Sequence, residues 1–319
     1  GIGLIASRFT IQGPLKKDTS SFLISARRTY IDVLTKPFIS KDNDYAGSGY
    51  FFYDLNAKVN YKFSDKDHLF LSGYYGKDEF KFSDSRAGFK AKIPWGNATG
   101  ALRWKHIFSE KLFLNTALTF SDYQFEFGAT QSEFDFSLYS GVRDYSSKID
   151  FSYLPNKNHK IKFGGDFTYH IFIPNNASAK SGDIEFDLGG VIKQYAQESS
   201  LYLLDEFSVG KRLKFNLGLR LGSFSFIGPF DRYLKDELGI KSDTISFDKF
   251  ENIKTYIGLE PRVSARFLLS KNASLKASYT RNFQYVHLAS MASVSLPTDL
   301  WVPSSDIVKP QKANQYVFG

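Results

Sequence analysis

From Leu213 to Leu221 every second residue is apolar: Leu213, Phe215, Leu217, Leu219 and Leu221. Between them stand Lys214, Asn216, Gly218 and Arg220. A period of two places these sets on opposite faces of a β-strand. The pattern recurs upstream, with Leu55, Ala57, Val59, Tyr61 and Phe63 against Asp54, Asn56, Lys58, Asn60 and Lys62. It recurs downstream in Ile257, Leu259, Pro261, Val263, Ala265 and Phe267. A wall with hydrocarbon on one side and water on the other requires this alternation, strand after strand.

The pattern predicts strands over Ala6 to Pro14, Ser20 to Leu34, Phe51 to Phe63, His68 to Phe82, Trp95 to Phe108 and Leu112 to Phe127. Further strands are expected over Phe134 to Leu154, His159 to Ile173, Val191 to Val209, Leu213 to Ile227, Ile253 to Leu269, Ala273 to Val286 and Ala313 to Gly319. Short polar turns join them at one end, such as Ser64 to Asp67, Pro155 to Asn158 and Gly210-Lys211. Long loops are expected at the other: Lys36 to Tyr50, Ser83 to Ile93, Pro174 to Gly190, Gly228 to Asn252 and Met291 to Lys309. Within the fourth, Asp231 to Leu238 fits a short helix. Soluble strands average ~5–6 residues, and ~9–11 suffice to cross hydrocarbon, so strands of this length with asymmetric connections indicate a membrane barrel. A propeller, whose repeat holds four short strands, fits less well. The fold class is all-β: an antiparallel transmembrane β-barrel, with about thirteen strands in this chain.

Composition agrees without deciding the matter. The 319 residues include 32 Phe and 19 Tyr, and mean hydropathy is negative. An apolar run of the ~18 residues that a spanning helix needs is missing from the sequence. Alternating strands hide their apolar half in any average. Tyr61 with Phe63, Tyr123 with Phe125, Tyr153, Phe224 with Phe226 and Phe283 with Tyr285 lie near strand ends, where interfacial aromatic girdles are expected. With no cysteine, disulfides and thiolate chemistry are excluded. The net charge of +8 is scattered over alternate positions, which fits a cationic lumen or lipid head groups and not nucleic acid. The sequence opens in mid-pattern at Gly1-Ile-Gly-Leu-Ile, as if it continued upstream.

Several stretches carry a family resemblance. Ser7-Arg-Phe-Thr-Ile-Gln-Gly-Pro14 and Ser21-Phe-Leu-Ile-Ser-Ala-Arg-Arg-Thr-Tyr30 resemble the first barrel strands of TonB-dependent outer-membrane receptors of the Bacteroidetes type. Arg103-Trp-Lys-His106, Gly218-Leu-Arg220, Glu260-Pro-Arg262, Gln284-Tyr-Val-His-Leu288 and Leu296-Pro-Thr-Asp-Leu-Trp-Val-Pro-Ser304 extend the likeness. Within that family the chain resembles receptors with an N-terminal carboxypeptidase-regulatory-like domain. The resemblance implies a 22-stranded barrel filled by an N-terminal plug. It implies import of a scarce solute (siderophore, oligosaccharide or peptide) across the bacterial outer membrane, driven by the TonB complex. Implied partners are outer-membrane lipid, the chain's own plug, TonB through that plug, and a surface lipoprotein in some receptors. The stretch present corresponds to the front and middle of the barrel wall, without plug, TonB box or C-terminal strands.

Candidate chemistry is sparse. His68, His106, His159, His170 and His287 form no i, i+2 or i, i+4 ligand pair, so neither a metal nor another cofactor is expected. No nucleophile elbow or phosphate loop appears, which argues against an enzyme. Gly164-Gly165, inside a strand, suggests close backbone approach or room for a plug. Of Arg27 and Arg28, one is expected to face the lumen and pair with a plug carboxylate, the other to snorkel. Asp54, Lys58, Lys62, Lys162, Asp166, Lys214, Arg220, Glu260, Arg262 and Arg266 share the inward parity and read as a polar lattice between barrel and plug. Glu260 and Arg262, two apart on one face, are within reach of each other. In the outer loops Phe230, Tyr233 and Trp301 are the candidate substrate contacts, with folding over the rim as the alternative. The competing function is a non-transporting barrel that anchors a surface complex.

Overall fold

The computed structural model describes residues 1–40, 43–186, 193–236, 238–289 and 300–319. The strands in chain order are β1 (Ala6–Lys16), β2 (Ser20–Thr29), β3 (Gly49–Lys62), β4 (Asp67–Asp84), β5 (Phe89–Ile107) and β6 (Leu112–Gln131). Next come β7 (Phe134–Asn156), β8 (His159–Ser181), β9 (Ile184–Phe186), β10 (Gln194–Val209), β11 (Leu213–Ile227) and β12 (Phe230–Lys235). The last are β13 (Lys241–Phe247), β14 (Asn252–Leu268), β15 (Ser274–Gln284), β16 (Val286–Ala289), β17 (Leu300–Pro303) and β18 (Gln311–Phe318). Thirteen follow one another in a single antiparallel sheet, β1-β2-β3-β4-β5-β6-β7-β8-β10-β11-β14-β15-β18, and β9 adds to β8. The outermost strands, β1 and β18, each have one neighbour.

Register places the expected faces as the alternation requires. Leu203, Leu219 and Pro261 lie in one row across β10, β11 and β14, and Tyr202, Arg220 and Glu260 lie in the next. The apolar row faces outward: Leu203 is 57% exposed and Leu219 48%. In water such a belt from β1 to β18 would be unstable, but against lipid it costs nothing. Near the short turns Tyr61, Phe63 and Tyr153 are exposed on this face, as a girdle requires.

The other expected girdle members turn inward. Phe125, Phe224, Phe226 and Tyr285 are buried, and Phe172, Ala196, Phe224 and Tyr285 form the core cluster. Phe224 and Phe226 keep the parity of Arg220, so their inward direction follows from the alternation itself. The β16–β17 hairpin covers this cluster from the inside. Trp301 packs against it and meets Tyr123 of β6 edge-on at 6.5 Å. Tyr256 of β14 donates to the Ser305 carbonyl at 2.7 Å. One hairpin thus touches strands five steps apart, so the sheet curves around it.

Boundaries differ from expectation where propensity gave way to pairing. The second strand stops at Thr29, and Ile31–Thr35 forms a one-turn helix, α1. The stretch Ser83 to Ile93 is no loop: β4 and β5 pair up to Asp84↔Phe89, leaving Ser85 to Gly88 as the turn. The expected loop from Pro174 is strand up to Ser181, followed by β9; residues 187–192 lie outside the described part. The helix expected over Asp231 to Leu238 gives way to strand as far as Lys235, since β12 pairs β13 from Phe230↔Phe247; residue 237 lies outside the described part. Short connections therefore occur at both ends of the sheet. Partner strands supply backbone hydrogen bonds that local sequence does not reveal.

Gly164 confirms the close-approach reading. A Cβ there would meet the Ile149 carbonyl at 2.1 Å and the Tyr202 hydroxyl at 2.9 Å. Tyr202 of β10 reaches across β8 to donate to Asp150 of β7 at 2.5 Å. The bare backbone of Gly164 lets this bridge pass.

Placing Lys at Leu217, on the lipid-facing row, should destabilise the barrel by about 2–4 kcal/mol if the site lies near the midplane. Urea unfolding of the full-length protein in lipid vesicles measures this, and a neutral effect would reverse the facing.

Candidate functional site

The inner face of β7, β8, β10, β11 and β14 carries a connected set of charges. Arg220 extends from β11, where small neighbours Gly218 and Gly222 leave room for its side chain. Its Nη2 lies 3.3 Å from Asp166 and 3.6 Å from Glu198. Ser200 donates to Asp166 at 2.7 Å. His170 joins the same set, with Nδ1 2.8 Å from Asp144 and Nε2 3.8 Å from Glu198. Arg262 closes the set, 3.7 Å from Glu260 and bonded to Asn282 at 3.3 Å. Each of these groups has at least one partner of opposite kind, which offsets part of the cost of holding it on the inner face. Toward the short turns, Lys214 pairs with Glu206, and Arg103 lies over Phe70 at 4.5 Å.

Of the residues expected in that lattice, Asp54, Lys62, Asp166, Lys214, Arg220, Glu260 and Arg262 form ion pairs within the wall, and Glu260 does reach Arg262. Arg27 does face the lumen, where its Nε bonds Asp54 of the wall at 2.7 Å. Arg28 points the other way, over Phe51 at 5.2 Å and onto Asp32. Sequence reasoning missed Asp144, His170, Glu198 and Tyr202. Parity alone puts Glu198 and Tyr202 on the inner face, but only register shows that Glu198 stands beside His170 and Arg220. Among the described residues, no group of three His, Asp or Glu side chains could hold a metal ion.

The loop candidates belong to two hairpins. Phe230 packs edge-on against Phe226 at 5.2 Å, at the base of the β12–β13 hairpin. Tyr233, further along β12, is 54% exposed. Trp301 is not on the rim, because β17 carries it into the lumen cluster. Arg232 links the two hairpins through Asp306 at 3.0 Å. His287 of β16 and Ser304, just past β17, fix the in-folded hairpin through a buried bond of 2.8 Å. The adjoining stretch 290–299 lies outside the described residues, including part of the motif ending at Ser304.

A curved antiparallel sheet, apolar outside and ion-paired inside, is the wall of an outer-membrane β-barrel. Residues 29–319 match the family described as TonB dependent receptor-like, beta-barrel, and the chain belongs to that family. Solved structures agree on the fold. The ferric yersiniabactin uptake receptor FyuA from Yersinia pestis matches 98% of this chain and 49% of its own, with TM-score 0.64 and 12% identity. The siderophore receptor PiuA from Acinetobacter baumannii matches 99% and 53%, with TM-score 0.63 and 11% identity. The copper transporter OprC matches 98% and 50%, with TM-score 0.63 and 12% identity. The chain spans about half the length of these proteins. Among curated proteins no sequence match is found.

Two outcomes follow. Replacing Arg220 by Ala strands Asp166 and Glu198 and should cost about 1–3 kcal/mol, between exposed and fully buried pairs. Urea unfolding checks this. Burial holds His287, which lies on the in-folded hairpin and not on a spanning strand, below its ordinary value of 6.5. The unfolded hairpin then binds the proton more readily, so the seat is firm above about pH 6.5 and weakens as pH falls below it. Hydrogen exchange of the Val286–Ala289 and Leu300–Val302 amides at pH 7.5 and 5.5, corrected for the intrinsic rates, should show faster opening at the lower pH. In His287→Gln the difference should vanish.

Proposed function

We propose that this chain is the front and middle of the wall of an active importer, a receptor of the Bacteroidetes type with a carboxypeptidase-regulatory-like domain. The cargo class is a scarce solute: siderophore, oligosaccharide or peptide. An N-terminal plug domain fills the complete barrel, and the TonB complex acts through that plug. The carrying observation is the inner face. Its polar groups are linked across strands, from Asp144 through His170, Glu198 and Arg220 to Asp166, leaving a polar surface on which acidic and basic groups alternate. Such a surface suits a removable protein plug better than a permanently greasy seal. The solved relatives support the class, since FyuA and PiuA are uptake or siderophore receptors and OprC a copper transporter.

Phe230, Tyr233 and Trp301 are the proposed solute contacts. Trp301 is the strongest of the three, because the inward hairpin places it within the lumen. The chain itself acts as a receptor and not as a catalyst. Ser304, hydrogen-bonded to His287, is fully buried, so no substrate carbonyl reaches that pair. Outer-membrane lipid surrounds the wall, and a surface lipoprotein is a further proposed partner at the rim.

Cells lacking the gene should fail to take up one of three labelled solutes, a ferric siderophore, an oligosaccharide or a peptide. The full-length gene should restore uptake only in a background with working TonB. Normal uptake of all three without the gene, alongside a co-purifying surface protein, would favour the non-transporting anchor instead.

A further inference from the structure

The outward face of β3, β4 and β5 changes character above the apolar belt. Rows in the belt read Val59–Leu71–Leu102, then Ala57–Gly73–Gly100, then Leu55–Tyr75–Ala98. The next row is Arg28–Tyr53–Lys77–Gly96, across β2 to β5. Above it come Phe51–Glu79–Pro94 and Gly49–Lys81–Lys92. Tyr53 and Tyr75, with ring centroids 6.0 Å apart, mark the upper edge of the hydrocarbon. The charged rows therefore begin at the head-group level of the leaflet on the side away from the Ser64 to Asp67 turn.

The stoichiometry of this cluster is unusual for the wall. Elsewhere Lys62–Asp65, Arg143–Asp122 and Arg27–Asp54 pair one cation with one carboxylate. Here three ammonium groups converge on one: Lys81 at 2.8 Å, Lys92 at 3.4 Å and Lys77 at 3.9 Å from Glu79. The Glu79 side chain is 8% exposed, while those of Lys77, Lys81 and Lys92 keep 35%, 49% and 53%. Glu79 thus works as a tether that gathers three lysines whose free N–H groups still face outward. Lys90, in register with Ser83, lies on the same face. Glu126 lines the same depression as Lys77, and Arg28 is held by Asp32. Asp122 lines that depression too, and Asp135 and Glu185 share a second one with Lys81, Lys90 and Lys92, so the positive surplus is confined to the three lysines that crowd Glu79. Gly49, Gly96 and Pro94 carry no long side chain to screen it.

We propose that Lys77, Lys81 and Lys92 bind the phosphate of an outer-leaflet lipid head group. The carboxylate tether pre-arranges the donors, and a tetrahedral anion with several acceptor oxygens takes up the N–H groups that one carboxylate leaves free. The acyl chains would lie along the Leu55, Leu71 and Leu102 rows directly below. This inference concerns the outside of the wall and stands whether or not the lumen transports anything.

The test uses the full-length receptor in phosphatidylcholine nanodiscs carrying monophosphoryl lipid A, with bound lipid counted by native mass spectrometry. The wild type should retain lipid A, and Lys77→Gln/Lys81→Gln/Lys92→Gln should lose at least about tenfold in retention. The corresponding Lys→Arg triple variant should retain it, which controls for folding. The lumen-facing pair Lys58→Gln/Lys62→Gln should be unchanged. Dephosphorylated lipid A should bind no better than phosphatidylcholine, and millimolar inorganic phosphate should not displace the lipid, because phosphate alone lacks the acyl contacts. Equal retention by the Gln triple variant, equal loss in the lumen pair, or equal binding of the dephosphorylated lipid would each overturn the proposal.

Discussion

In hydrocarbon, a backbone N–H or C=O without a partner costs several kcal/mol, and no water is present to relieve it. Everything else in this wall is arranged within that constraint. It compels strand to pair with strand in unbroken sequence, from β1 to β18. Once pairing is compulsory, side chains have only two directions. One is given to lipid and becomes a belt of Leu, Val, Ile and Phe. The other is left for polar chemistry, and its charges can be stabilised only by each other. The ion pairs of the inner face are thus a consequence of the pairing rule as much as a functional device.

The same rule explains how much of the molecule was legible in the sequence. Strand identity and facing came through because the period of two is local: Leu213 to Leu221 declares both faces without reference to any other strand. The inward turn of Phe224 and Phe226 was equally available, since they continue the parity of Arg220, but their aromatic character suggested a girdle instead. Strand ends were not legible. Whether Phe89 belongs to a loop or a strand depends on Asp84 being opposite, and that is a property of register. The helix expected from Asp231 failed for the same reason, since the competing partner, β13, lies beyond a turn.

The candidate site divides along the same line. Glu260 and Arg262 were found because two residues on one strand face one way. His170, Glu198 and Arg220 sit on three different strands, and only alignment of those strands brings them together. The in-folded hairpin was the least accessible feature. Nothing local marks Val286 to Ala289 as leaving the wall. At that point Tyr285 lies over the bare backbone of Gly258, where an added Cβ would lie 2.6 Å from the tyrosine hydroxyl.

The longest hairpin, β7 with β8, has 23 residues in each strand. At ~3.3 Å per residue such a strand measures about 76 Å, roughly twice what a tilted strand needs to cross the hydrocarbon. Much of it therefore stands clear of the lipid, as the edge of a sheet that β6, β5 and β4 continue. Out there one face carries Ser137 and Ser178 in hydrogen-bond contact, and the other Phe136, Leu138, Ala177 and Ala179. An approaching molecule would meet this palisade well before it met the membrane plane. The reach of the protein into its surroundings is set by strand length, with no added domain required.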